Sequence, residues 1–221
     1  MRAKHAKIPP FLAALAFLSC ALSASFAADK TVTETALAPS KPPLETLLKP
    51  KTLTRATEDL DVVVNSGWEG IDGFEYTGAM VVRAPIKHAR KTITDYAVYP
   101  KMSPAIRKFD YDARTKIIEM VAEAGGYLVR SWVKVDDRYW DELNYEIVRG
   151  DMKGFKVKTS LWDKGSRTML VMQGHLPSAK NIFPKALQFI AIPLSEMVLG
   201  VASRNFRSYI EGEYNKLKTA R

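Results

Sequence analysis

Apolar and polar positions alternate over much of the chain between residues 76 and 175, and this pattern predicts a series of short β-strands. The first spans 76–83 and is stopped by Ala84-Pro85. Ile86, Ala89, Ile93 and Tyr96 then recur at helical spacing and predict a short helix. A loop containing Pro100 and Pro104 leads into strands predicted at 106–111, 117–124, 127–135, 141–149, 155–163 and 167–175. Gly125-Gly126, Asp136-Asp137, Gly150 and Lys164-Gly165 supply the turns, as expected of successive hairpins.

The alternation also assigns faces. Val129, Ser131 and Val133 oppose Arg130, Trp132 and Lys134; Leu143, Tyr145 and Ile147 oppose Glu142, Asn144 and Glu146. Phe155, Val157, Thr159 and Leu161 oppose Lys156, Lys158 and Ser160. One face is apolar and the other charged, as an antiparallel sheet with one solvated side requires. The last strand departs from this, because Met169, Leu170, Val171 and Met172 make both of its faces apolar. One of those faces is expected to meet something other than water.

Beyond Pro177 and Pro184, a long amphipathic helix is predicted over 193–218, with a shorter one over 183–192 before it. Leu194, Met197, Val198, Val201, Ala202, Phe206, Tyr209 and Ile210 form its apolar stripe, and Pro193 fits its first turn. The elements add up to one α+β domain over 60–221, a curved antiparallel sheet of about 6–7 strands wrapped around the C-terminal helix. Upstream, Pro39, Pro42, Pro43 and Pro50 break any long helix, so 28–59 reads as a Pro-rich flexible arm with at most a turn of helix near 44–48. Gly67, Gly70 and Gly73 punctuate the lead-in to the domain.

The first 27 residues change the picture of the mature protein. Arg2, Lys4 and Lys7 precede an apolar run over 8–22, and Ser25-Phe26-Ala27 offers a small-x-small cleavage site before Ala28. This order is that of a secretory signal peptide, and it predicts a periplasmic or secreted protein. The apolar run falls short of the roughly 20 residues that span a bilayer as a helix. Cys20, the single cysteine of the 221-residue chain, lies inside the signal, so cleavage leaves no disulfide and no thiolate site. Loss of the three basic residues lowers the net charge from +9 to +6. Lys153, Lys156, Lys158 and Lys164 form one basic group and Lys216, Lys218 and Arg221 another. They read as solvated faces, with peripheral contact to an anionic membrane surface left open. They form no compact run, and nucleic acid is not an expected partner.

Catalytic chemistry has little to stand on. His88 and His175 are the only histidines after the signal and fall on distant elements. No Gly-x-Ser-x-Gly elbow or phosphate loop is present, and Asp136, Asp137, Asp141 and Glu142 read as solvated acids of a hairpin turn. No catalytic residue, metal site or cofactor is predicted.

The strand ending Val82-Arg83-Ala84-Pro85, the helix ending Asp95-Tyr96-x-x-Tyr99-Pro100, the Gly165-Ser166-Arg167 turn and the Pro-rich approach to the last helix resemble a START-like (SRPBCC, helix-grip) domain. The resemblance covers about residues 70–218 and is nearest to the polyketide cyclase and coenzyme Q-binding START-like branch. It implies a cavity between sheet and C-terminal helix that holds a hydrophobic small molecule or lipid for sequestration or transport. Its implied lining is Tyr99, Met102, Met120, Tyr145, Phe155, Met172, His175, Met197 and Val201, with Phe189 beside them. The implied gate lies between the 99–104 and 177–184 loops. Two other readings stay open. One is an aromatase/cyclase-type enzyme working through Tyr145 or His175. The other is an envelope interaction module with a filled core.

Overall fold

Eight antiparallel strands form one sheet in the order β1-β2-β8-β7-β6-β5-β4-β3. They are β1 Val63–Glu69, β2 Gly73–Val82, β3 Ile106–Asp112, β4 Ile117–Ala124, β5 Tyr127–Asp136, β6 Glu142–Gly150, β7 Lys156–Asp163 and β8 Thr168–Leu176. The structure, a computed structural model, describes residues 41–103, 105–124, 127–179 and 188–220. Six of the strands fall within a residue or so of their expected ends, and β2 begins three residues early. The additional strand is β1, in the region read as a glycine-punctuated lead-in. It pairs along its whole length with β2, from Val63 opposite Ala79 to Glu69 opposite Gly73.

Between β2 and β3 the chain makes the helix α3 (Ile86–Ile93), a 3₁₀ turn (Tyr96–Val98) and the single turn α4 (Tyr99–Met102). Asp95 starts the 3₁₀ turn by accepting a hydrogen bond from the Ala97 amide at 3.3 Å. The C-terminal helix α5 runs from Gln188 to Thr219, so Pro193 lies inside it rather than at its start. Of the shorter helix expected over 183–192, the part from Gln188 belongs to α5; residues 183–187 lie outside the described residues.

α5 is rotated about its axis relative to the expected stripe. Its buried residues include Ser195, Leu199, Ala202, Ser203, Phe206 and Ile210, whereas Met197 and Val201 are 58% and 46% exposed. Polar ties to the sheet edge fix this rotation. The Ser66 amide donates to Glu196 Oε1 at 2.8 Å, and Ser66 Oγ lies 3.1 Å from Ser195 Oγ. Arg207 reaches the Leu60 carbonyl, and the Arg83 amide donates to Glu211 Oε1 at 2.9 Å. Small Ser195 and Ser203 can sit against the sheet, and their register leaves the 197/201 ridge facing solvent.

Residues of the predicted arm fold onto the outer face of the sheet. From Lys41 the chain forms α1 (Leu44–Leu47) and α2 (Pro50–Thr57). The prolines act as helix starters here: Pro50 occupies the first turn of α2, where its missing N–H is harmless. Leu44, Leu48 and Ala56 then bury themselves with Val63, Ala79, Val81, Met169 and Val171. The doubly apolar character of β8 is thereby explained. Leu170 and Met172 face the main core, and Met169 and Val171 face this second layer. Lys41 ties the start of the segment down, pairing with Asp141, donating to the Leu161 carbonyl and lying 4.9 Å over the Trp162 ring. The segment is thus a strap from β7 to β1. Residues 28–40 lie outside the described residues.

Candidate functional site

The inner face of the sheet, α3 and α5 enclose one core cluster. Tyr99, Met120, Tyr145, Phe155 and Met172 are brought together in it, with Met102 packed at its margin. The Tyr99 ring stacks on Phe109 at 5.6 Å, and its hydroxyl donates to the Ile93 carbonyl at 3.5 Å. Met197 and Val201 are not part of this group, because the rotation of α5 turns them outward. His175 is not part of it either. On β8 the even-numbered residues Leu170, Met172 and Leu176 face the core, and His175 alternates to the outer face. There its Nδ1 lies 2.6 Å from Glu69 Oε2. The Phe189 side chain, Pro104 and residues 180–187, which include part of the expected gate, lie outside the described residues.

The interior carries polar groups whose burial is costly. Tyr76 Oη, Tyr145 Oη, Ser131 Oγ, Ser203 Oγ and Arg90 Nη1 are all buried without a hydrogen-bond partner among the described residues. Burial holds the Tyr76 phenol far above the ordinary tyrosine range, and burial is the largest cause for Tyr145 as well, with Arg90 acting against it, so both remain neutral donors. Each orphaned group costs about 1–3 kcal/mol. Four of the five come from strand or helix positions that face inward. Tyr76 and Ser131 lie on β2 and β5, Tyr145 on β6, and Ser203 on the buried side of α5.

Arg90 is the most unusual. It sits on α3 at 6% exposure. Its Nη2 makes one long hydrogen bond, 3.4 Å, to the Tyr139 carbonyl. No ion pair to it is found among the described residues. Burial lowers its pKa; Tyr145, Asp137, Tyr96 and Asp141 act in the opposite direction from nearby. The two carboxylates are already engaged, Asp137 by Lys116 at 2.5 Å and Asp141 by Lys41. The rings of Tyr96 and Tyr111 pack beside this group at 4.2 Å between centroids, tilted by 37°. Sequence reasoning passed over Arg90, although a signal was present. Residues 86, 89, 90 and 93 form one helical stripe, and Arg90 is the only charged member of it. Ser131 was legible as a hydroxyl on an apolar strand face.

His88 meets the other end of α3. Its Nε2 lies 3.1 Å from the Ile210 carbonyl and 3.3 Å from Thr92 Oγ1, and its ring is 5.1 Å from Tyr214. Among the described residues no group of three metal-ligating side chains comes together. No helix among them is long and apolar enough to cross a membrane. A separate crevice of about 320 Å³ opens on the outer face, where Leu47, Lys49 and Thr52 of the strap stand off Asn65, Glu75 and Thr77.

No family model matches the chain, and no curated protein does. Solved structures do. A Thermus thermophilus protein superposes with a TM-score of 0.53 at 16% identity, over 63% of this chain and 98% of that one. A START superfamily protein from Mycobacterium smegmatis gives 0.50 at 15% identity, over 65% and 98%. The di-domain aromatase/cyclase BexL gives 0.53 at 13% identity, over 64% of this chain and 50% of that one. The chain has the START-like (SRPBCC) helix-grip fold, an open antiparallel sheet with a long C-terminal helix.

Proposed function

We propose that the protein binds a hydrophobic small molecule or lipid between the inner face of the sheet and α5, and sequesters or carries it. The orphaned polar groups of the interior carry this reading. Ligand sites in proteins are mostly apolar with a few placed polar groups that fix orientation. Tyr76, Arg90, Ser131, Tyr145 and Ser203 have that character among buried Phe, Met, Leu and Ile side chains. The START-like fold supports it as well, because this fold suggests a hydrophobic ligand-binding cavity. The test is native mass spectrometry of the purified protein with solvent extraction of bound small molecules. A stoichiometric amphiphile is expected. Absence of any ligand, together with no thermal shift on adding lipids or quinones, overturns the reading.

The proposal includes export. Residues 1–27 have the order of a signal peptide, and N-terminal sequencing of the processed protein should begin at Ala28. A retained Met1 would refute this. Contact with an anionic membrane surface is favoured by one outer patch. Trp132 lies under Arg149 at 4.4 Å and near Arg130 at 5.8 Å, and Leu128 on the same face of β5 is 67% exposed. Vesicles containing phosphatidylglycerol should bind the wild type and release an Arg130→Glu/Arg149→Glu variant; equal binding of the two excludes this patch.

A further inference from the structure

We infer that the ligand is an anionic amphiphile whose headgroup is held by the Arg90 guanidinium and the Tyr145 hydroxyl. This rests on the ligand-binding reading above and specifies the chemistry of one end of the ligand. Arg90 is 6% exposed, and among the described residues one of its terminal nitrogens has no partner and the other makes only the long bond to the Tyr139 carbonyl. An arginine cannot shed its charge by deprotonation, unlike a buried lysine or carboxylic acid. A buried ion without a counter-charge costs several kcal/mol. Asp137 and Asp141 favour its charge from nearby, but Lys116 and Lys41 already pair with them, and no ion pair to Arg90 is found among the described residues.

The group that would balance this charge is therefore an anion brought in from outside. A guanidinium presents paired N–H donors that match the two oxygens of a carboxylate or phosphate. Tyr145 is buried on the inner face of β6 in the core that α3 closes, and its Oη has no partner among the described residues, so its proton is available to the same anion. The packed rings of Tyr96, Tyr111, Phe109 and Tyr99 form an aromatic wall in the same core, suited to an apolar tail. A carboxylate and a phosphate monoester share the required chemistry, and affinity ranks the two.

The test is calorimetric titration of delipidated full-length protein with oleate, oleoyl lysophosphatidate and oleyl alcohol. At least one anionic probe should bind tenfold or more tightly than the alcohol. In Arg90→Gln that preference should vanish while the affinity for the alcohol is unchanged; in Arg90→Lys part of it should persist. Tyr145→Phe should weaken only the anionic probes, by several-fold. A second measurement separates this role from a structural one. Ligand-free Arg90→Met should melt at or above the wild type, because it removes an uncompensated charge, and oleate should raise the melting temperature of the wild type only. Equal binding of oleate, lysophosphatidate and the alcohol overturns the inference and leaves hydrophobic binding standing. Failure of all three to bind overturns the ligand reading itself. A ligand-free Arg90→Met that melts far below the wild type, with anion preference intact in Arg90→Lys and Arg90→Gln, assigns Arg90 to structure alone.

Discussion

The ring of Tyr76 lies against Gly174 across the β2–β8 ladder, in the space that a side chain at residue 174 would need. A Cβ built on Gly174 would stand 1.9 Å from Tyr76 Cε1. The two residues are directly paired, Tyr76 opposite Gly174. The close approach lets the ring turn toward Phe155, 6.2 Å away between centroids.

Gly174→Ala should therefore destabilise the protein by about 1–3 kcal/mol, the usual range for forcing extra volume into a packed site. Combining it with Tyr76→Leu should recover part of the loss, because residues in contact do not act additively. Denaturant midpoints of the two single variants and the double variant measure the coupling. Strict additivity would show that the ring moves freely out of the way.

The strap is expected to contribute to stability as a core element does. Leu48 is buried in the second layer, and Leu48→Ala should cost about 2–5 kcal/mol. Deletion of residues 1–59 should uncover Ala79, Val81, Met169 and Val171 and produce strong binding of a hydrophobic dye. An unchanged melting temperature and no dye binding would mean the strap is dispensable.

The two sides of α5 should respond oppositely. Phe206→Ala should cost about 3–5 kcal/mol, as deletion of a buried aromatic does. Met197→Gln and Val201→Thr should each lie within about 0.5 kcal/mol of the wild type, because both side chains are exposed. A large loss at Met197 would restore the stripe that periodicity alone indicates.

His88 should make part of the stability depend on pH. Burial pushes its pKa below the ordinary value of 6.5, against the raising influence of the Ile210 carbonyl and Glu213. Between its folded pKa and about 6.5, the unfolded chain binds more protons than the folded one. Acidification through that window therefore lowers stability. His88→Gln should reduce the difference between guanidinium midpoints taken above and below pH ~6.5. An undiminished difference would assign the effect to other groups.

The sheet was largely legible in the sequence because hairpins are local. Alternation, Gly and Asp turns, and the apolar faces of β5, β6 and β7 all follow from neighbours in the chain. What escaped depends on distant partners. β1 opens on Val63 and Val64, followed by Asn65, Ser66 and Gly67, and its register comes from β2 while α5 and α2 cover it. The strap needed Met169 and Val171, more than a hundred residues away, to give Leu44 and Leu48 a place to bury. On α5 two apolar stripes compete, and Ser66, Leu60 and Arg83 decide between them. The candidate site was half legible. The aromatic and methionine lining could be guessed by type, but Arg90 could not be assigned to the interior while basic residues were being read as surface.

The strap also sets an order of events during synthesis. Lys41 meets Leu161 across 120 positions, and α2 rests partly on β8, which is complete only at Leu176. The segment that leaves the ribosome early has no landing surface until nearly the whole sheet exists. Such non-local closure is slow, and the waiting surfaces are prone to wrong association. Leu44, Leu48 and Ala56 on one side, and Ala79, Val81, Met169 and Val171 on the other, stay bare through that interval. The first described part of the chain to be made thus waits for a surface that is finished only at Leu176, and the nascent protein is most in need of protection during that wait.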